Sequence, residues 1–163
     1  MARTNSGFLF IKTLNGAPPA IQQWPVASGT YYEGMPLRIG ATTGSAKAFV
    51  GAGTAVLGVC GAYTTKARST LATVTVPVYM ADYNNVFEVK TGGAIAAPRT
   101  LLADFVACTG ATSSYRAATA GGKQCRVVGF PADATTSSHA NARLWVTFAK
   151  NYWTDNTVEV AGH

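Results

Sequence analysis

The feature that most constrains this chain is a two-residue alternation. In VTVPVYMADYNNVFEV, residues 74–89, Val74, Val76, Val78 and Met80 share one side of an extended chain, and Thr75, Pro77 and Tyr79 share the other. Phe87 and Val89 resume the pattern after Asn84 and Asn85. The stretch predicts an antiparallel hairpin with Val74, Val76, Val78, Phe87 and Val89 on its inward wall. The tip, Ala81–Asn85, is then presented to solvent or to a neighbouring molecule. Pro77 lacks a backbone N–H, which suits an edge or a bulge.

The same alternation recurs along the sequence. FLFIK (8–12), EGMPLRIG (33–40), TAVLGVCGAY (54–63), LLADFVAC (101–108), QCRVVGF (124–130) and ARLWVTFA (142–149) all read as strands between Gly-, Ser-, Asn- and Thr-rich breaks. In the last of these, Leu144, Val146 and Phe148 face one way, and Arg143, Trp145 and Thr147 the other. Helix periodicity is weak, with PRTLLADFVA near 98–107 the one segment open to a helical alternative. No internal repeat of fixed period is visible. These signals predict an all-β, small antiparallel β-barrel. Its expected organisation is an N-terminal arm and linker over 1–25, a barrel over 26–149 and a C-terminal tail over 150–163, and the aromatics of the two ends either pack on a neighbouring subunit or close the same barrel. Two long polar stretches, 109–123 and 131–142, read as loops, and loops of that length are usually functional or mobile.

Only 12% of the residues are charged while 48% are apolar, so the surface must be built largely from small and neutral polar residues. The net charge of +6 is unevenly spread. Residues 1–81 hold one acid, Glu33, against Arg3, Lys12, Arg38, Lys47, Lys66 and Arg68, whereas 82–163 are nearly balanced. This asymmetry points to an acidic partner for the first half. The bases are scattered, with no run and no interleaved aromatics, which weighs against nucleic acid. Cys60, Cys108 and Cys125 lack zinc-type spacing. Cys60 and Cys125 fall in apolar runs and read as buried, and a disulfide among the three stays open. The apolar run FLFI is too short for a signal sequence or a membrane span, so a cytoplasmic site of synthesis and assembly is expected.

Catalytic constellations are sparse. Asp133, Ser137, Ser138 and His139 crowd one loop, but a triad needs residues converging from a fold, each oriented by the next. Gly51–Val56 approaches a dinucleotide fingerprint, yet Val56 stands where the third small residue belongs and no acid follows before Asp82. The GGK at 121–123 lacks the remainder of a phosphate-binding loop. No catalytic residue, metal, cofactor or small-molecule substrate is therefore expected, and no membrane.

The order GTYYEGMPLRIG, AVLGVCGAY, VTVPVYMADYNNVFEV, and later QCRVVGFPADATTSSHANARLWVTF, resembles the head-decoration (cement) proteins of tailed bacteriophages over roughly residues 29–149. The resemblance implies a β-barrel or β-tulip-like domain that trimerises on the outside of a virion capsid and bridges major capsid subunits. Under it, Phe8, Phe10 and Trp24 of the arm and Arg38, Lys47, Lys66 and Arg68 of the basic half are the candidate contacts. Val74, Val76, Val78, Phe87, Val89, Leu144, Val146 and Phe148 are the candidate core. Rival readings are a tail or fibre subunit, a carbohydrate- or surface-binding β-sandwich, and a small hydrolase using His139.

Overall fold

The computed structural model describes residues 7–41, 43–49, 55–91, 94–95, 105–109, 115–118, 124–131, 139–140 and 143–149. These residues form only strands, bridges, turns and bends, and the sheets are antiparallel. The first eight strands are β1 (Leu9–Thr13), β2 (Ile21–Pro25), β3 (Gly29–Tyr31), β4 (Pro36–Ile39), β5 (Ala46–Ala48), β6 (Gly58–Cys60), β7 (Thr64–Lys66) and β8 (Thr75–Met80). There follow β9 (Asn85–Lys90), β10 (Ala94–Ile95), β11 (Phe105–Thr109), β12 (Arg116–Ala118), β13 (Cys125–Gly129), β14 (His139–Ala140) and β15 (Arg143–Phe148).

The alternating stretch 74–89 is not a hairpin. Strand β8 pairs with β2 and β6, whereas β9 pairs with β1 and β15, so the two lie in different sheets. The link between them is shaped by side chains that satisfy backbone groups. Asp82 Oδ1 accepts from the N–H groups of Asn84 at 2.9 Å and Asn85 at 2.7 Å. Buried Asn85 donates from Nδ2 to the Met80 carbonyl at 3.0 Å. Ala81 and Asn85 are therefore interior residues and not an exposed tip. The inward assignments stand on their own: Val76, Val78, Phe87, Val89, Leu144, Val146 and Phe148 are buried, and Val74 packs against them half-buried. Pro77 sits on a strand with neighbours on both sides. Its carbonyl takes the N–H of Gly61, just past the end of β6, so its missing donor faces a place where the ladder has already stopped.

The chain is internally duplicated. Its first sheet runs β2-β8-β6-β4-β5, with β3-β7 as a separate pair. After β1, the second sheet runs β9-β15-β13-β11-β12, with β10-β14 as a separate pair. Raising each strand number by seven converts the first arrangement into the second. The registers agree as well. Gly58↔Met80, Val59↔Tyr79 and Cys60↔Val78 in the first unit become Cys125↔Phe148, Arg126↔Thr147 and Val127↔Val146 in the second. Leu37↔Gly58 becomes Val106↔Cys125. The parallel bridge Val26↔Ala46 becomes Thr91↔Ala117. Even the bond just beyond the sheet is repeated, from the Ala81 N–H to the Leu57 carbonyl and from the Ala149 N–H to the Gln124 carbonyl. The sequence conceals this because loops of unequal length shift the spacing from one strand to the next, so no fixed period survives.

In each repeated set of five strands the first and last strands meet at that one parallel bridge. A single bridge is not a ladder, so among the described residues neither sheet is a closed barrel. The all-β expectation holds, and the described strands form two repeated sheets sharing one core. Leu37, Val59, Val78 and Met80 of the first unit and Val106, Val127, Leu144 and Phe148 of the second belong to a single buried cluster.

The N-terminal segment belongs to this core. β1 adds to the second unit's sheet by pairing with β9, with a register shift between Phe10 and Lys12. β2 pairs with β8 throughout its length. Phe8 is buried with its ring 5.2 Å from Phe148, and Phe10 stacks on Tyr79 at 4.9 Å. A Cβ on Gly7 would lie 2.7 Å from the Gly34 carbonyl oxygen, so glycine permits the approach that lets the Phe8 N–H reach that carbonyl. Residues 9–13 and 21–25 are thus strands paired within this fold, with 14–20 connecting them. Within 98–107, Phe105 onward is strand, and 98–104 lie outside the described residues. The expected loop 109–123 contains β12 and the buried Tyr115, and most of the loop 131–142 and all of the tail 150–163 lie outside.

Phe87 sits among Phe10 and Phe148, with ring centroids 6.1 and 5.4 Å away. Replacing it by alanine is expected to cost about 3–5 kcal/mol in urea unfolding, from lost burial plus a cavity. Removing residues 1–13 is expected to lower the unfolding midpoint of the whole chain, because β1 and the Phe8 ring leave together. A truncated protein with an unchanged midpoint would contradict the placement of β1.

Candidate functional site

Three scattered bases of the sequence meet in one place. A cleft of about 380 Å³ is lined by Ala27, Ser28, Gly29, Thr30, Tyr31, Arg38, Lys47, Ala48 and Arg68. Arg38 on β4 and Lys47 on β5 stand directly opposite one another in the antiparallel register. Lys66, on β7, stands opposite Gly29 of β3, and its Nζ donates to the Val26 carbonyl at 3.2 Å. Arg68 follows two residues later, in the exposed turn beyond β7. Alternation alone places Arg38 and Lys47 outward, since their neighbours Leu37 and Ala46 are fully buried.

No described carboxylate lines this cleft, and Arg38 Nε is buried without a hydrogen-bond partner. Like charges directly across a pair of strands repel. The arrangement is therefore poised to accept an anion, with planar guanidinium forks beside a compact ammonium.

Tyr31 forms the buried floor, 2% exposed. Its hydroxyl lies 2.9 Å from the Ala27 carbonyl and 3.0 Å from that of Ala46, tying the cleft wall to the strand that carries Lys47. Burial, aided by nearby Cys60, pushes the Tyr31 hydroxyl above its ordinary value of 10.0, against the opposing pull of its bond to Ala27. Cys60 is a buried free thiol whose Sγ donates to the Ala62 carbonyl. Burial pushes that thiol up too, which keeps it protonated and a poor nucleophile.

The aromatic candidates are placed differently. Phe8 is inside the core, Phe10 is stacked on Tyr79, and half-buried Trp24 donates from Nε1 to the Gly44 carbonyl at 3.2 Å. All three are engaged within their own chain, because β1 and β2 pair with strands of the same molecule. Lys12 lies 4.7 Å over the Trp145 ring, while Glu88 accepts from Arg143 and from Trp145 Nε1, a mutually satisfied outer face. Sequence reading missed the role of Tyr31 and the Ser28–Thr30 wall. The alternation that places Arg38 outward would have found Lys47 as its neighbour only with the strand register in hand. Of the residues that superficially spelled a triad, His139 lies on β14 opposite Ile95, and Asp133, Ser137 and Ser138 lie outside the described residues.

Tyr31→Phe is expected to cost about 1 kcal/mol at neutral pH, the usual net worth of one buried hydrogen bond. The folded phenol holds its proton more tightly than the unfolded one. Its contribution is therefore complete below about pH 10 and lost as pH rises through the folded value. Urea unfolding at pH 8 and pH 11 is expected to show a smaller gap between wild type and Tyr31→Phe at the higher pH. A gap that widens would overturn the assignment. Comparison of the chain with protein-family models, with curated proteins and with solved structures gives no match.

Proposed function

We propose that this chain is a structural virion protein of the head-decoration kind, binding the outside of a capsid as a trimer and bridging major capsid subunits. The observation that carries the reading is the convergence of Arg38, Lys47 and Arg68, with Lys66 beside them, on one polar cleft of a charge-poor, all-β chain. The sequence resemblance over roughly 29–149 supplies the setting. An acidic capsid exterior is the complementary surface, and such complementarity steers encounter and fixes orientation more than it adds affinity. Three copies engaging together gain avidity from individually weak contacts. In this reading each unit is a sheet rolled toward a small barrel, with the Val26–Ala46 and Thr91–Ala117 bridges as its seams. Arg38, Lys47, Lys66 and Arg68 are the contacts, Phe8 and Phe10 serve by holding the cleft-bearing unit to the rest, and Trp24 braces that unit from within.

One observation favours the rival reading as a surface- or sugar-binding module. Tyr63 is 65% exposed and meets Tyr32 edge-on at 5.5 Å, a pair of rings on which a sugar can stack. The two readings separate in one experiment. Material from the natural source is run through a density gradient with an antibody to this protein. Comigration with large particles at stoichiometric copy number is the expected result. Recovery only as a small soluble species would sink the capsid reading and direct attention to sugars.

A further inference from the structure

We infer that the first-unit cleft is a clamp for the carboxylates of an acidic protein segment, and that the second unit is its uncharged counterpart. The inference rests on reading this cleft as a docking site, but not on the partner being a capsid.

The duplication supplies an internal comparison. Arg38↔Lys47 on β4 and β5 corresponds in register to Ala107↔Ala118 on β11 and β12. Gly29↔Lys66 on β3 and β7 corresponds to Ala94↔Ala140 on β10 and β14. Each strand-borne base thus has an alanine at its equivalent position. Arg68 belongs to the connection 67–74 between β7 and β8, for which the second unit has only residues 141–142 between β14 and β15. The same backbone arrangement therefore forms without any of these charges. In the first unit Arg38 and Lys47 face each other with Arg68 on the same cleft, no described carboxylate lines it, and Arg38 Nε is buried and unbonded. Arg38 and Lys47, which the repeated scaffold does not need and which repel one another, find compensation in a bound anion.

The geometry favours carboxylates of a peptide over a nucleic-acid strand. A strand of nucleic acid is held by a long basic track with aromatic faces on which bases stack. Here Arg38, Lys47 and Arg68 line one cleft, and the aromatic ring among its described lining residues, Tyr31, is buried with its hydroxyl occupied. Two guanidinium groups match carboxylates in a fork-to-fork fashion. The partner is thus a segment rich in Asp or Glu.

The test uses the full chain and a fluorescently labelled octaglutamate peptide, read by anisotropy at low ionic strength. Saturable binding that weakens steeply with added salt is expected. Arg38→Ala/Lys47→Ala/Lys66→Ala, which installs what the second unit already carries, is expected to weaken binding at least about tenfold. Its melting temperature should stay within a few degrees of wild type. If that variant does not fold, Arg68→Ala on the exposed turn is the second probe, with a several-fold loss expected. Absent binding, binding that both variants retain, or tighter binding of a single-stranded oligonucleotide or inorganic phosphate would each overturn the inference. Peptide binding without comigration in the gradient would remove the capsid alone. Comigration without peptide binding would remove the carboxylate clamp alone.

Discussion

The N-terminal strand holds the two halves of this molecule together. Its backbone hydrogen-bonds to β9 in the second unit, while the Phe8 N–H bonds to Gly34 and the Phe10 ring stacks on Tyr79, both in the first. Rings then continue without a gap through Phe87 and Phe148 back to Phe8. The turn after β1 adds a polar lock. The Asn15 N–H donates to Asn84 Oδ1 at 3.0 Å, and Asn84 Nδ2 donates to Asn15 Oδ1 at 2.8 Å. One short strand and one asparagine pair thus fix the link between units from outside, while Asp82 and Asn85 fix it from within. Aromatic burial of this kind is among the largest single contributions a small core can have.

What could be read in the sequence follows from what alternation encodes. It gives the face on which a side chain lies, so Val76, Val78, Phe87, Val89, Leu144, Val146 and Phe148 were legible as core. It does not give the partner strand. For that reason residues 74–89 read as a hairpin, although Asp82 and Asn85 carry the chain out of one sheet and into another. The N-terminal aromatics were open to two readings for a related cause. Phe8 and Phe10 lack enough flanking pattern to form a core alone, and they do not need to, since β9 and Tyr79 supply the other side. Arg38 and Lys47 were legible as outward-facing bases, but their meeting with Arg68 depends on three separate turns that no local pattern records.

The cleft and the scaffold place opposite demands on the same strands. Leu37 and Ala46 are fully buried while their neighbours Arg38 and Lys47 line the cleft, so a slip of one residue would exchange core for charge. Tyr31 guards against that slip. It holds the Ala46 carbonyl from below, and the Ala27 N–H holds the same oxygen from the side. The charged groups can face each other because the neutral groups beneath them leave no other register open.

The duplication has a consequence for folding. Two units with the same strand order and the same registers stand side by side in one chain, so each strand has a near-equivalent competitor for its place. Mispairing between repeats is the characteristic failure of such chains. Strand β8, for example, is the counterpart of β15 and ends only a few residues before β9, the natural partner of β15. The differences that hide the repeat from view also guard against that exchange. Pro77 stands where β15 has Trp145, so a swapped β8 would lack a backbone donor at that position and would remove the ring that covers Lys12. Divergence between the halves is therefore what lets each strand recognise its own sheet.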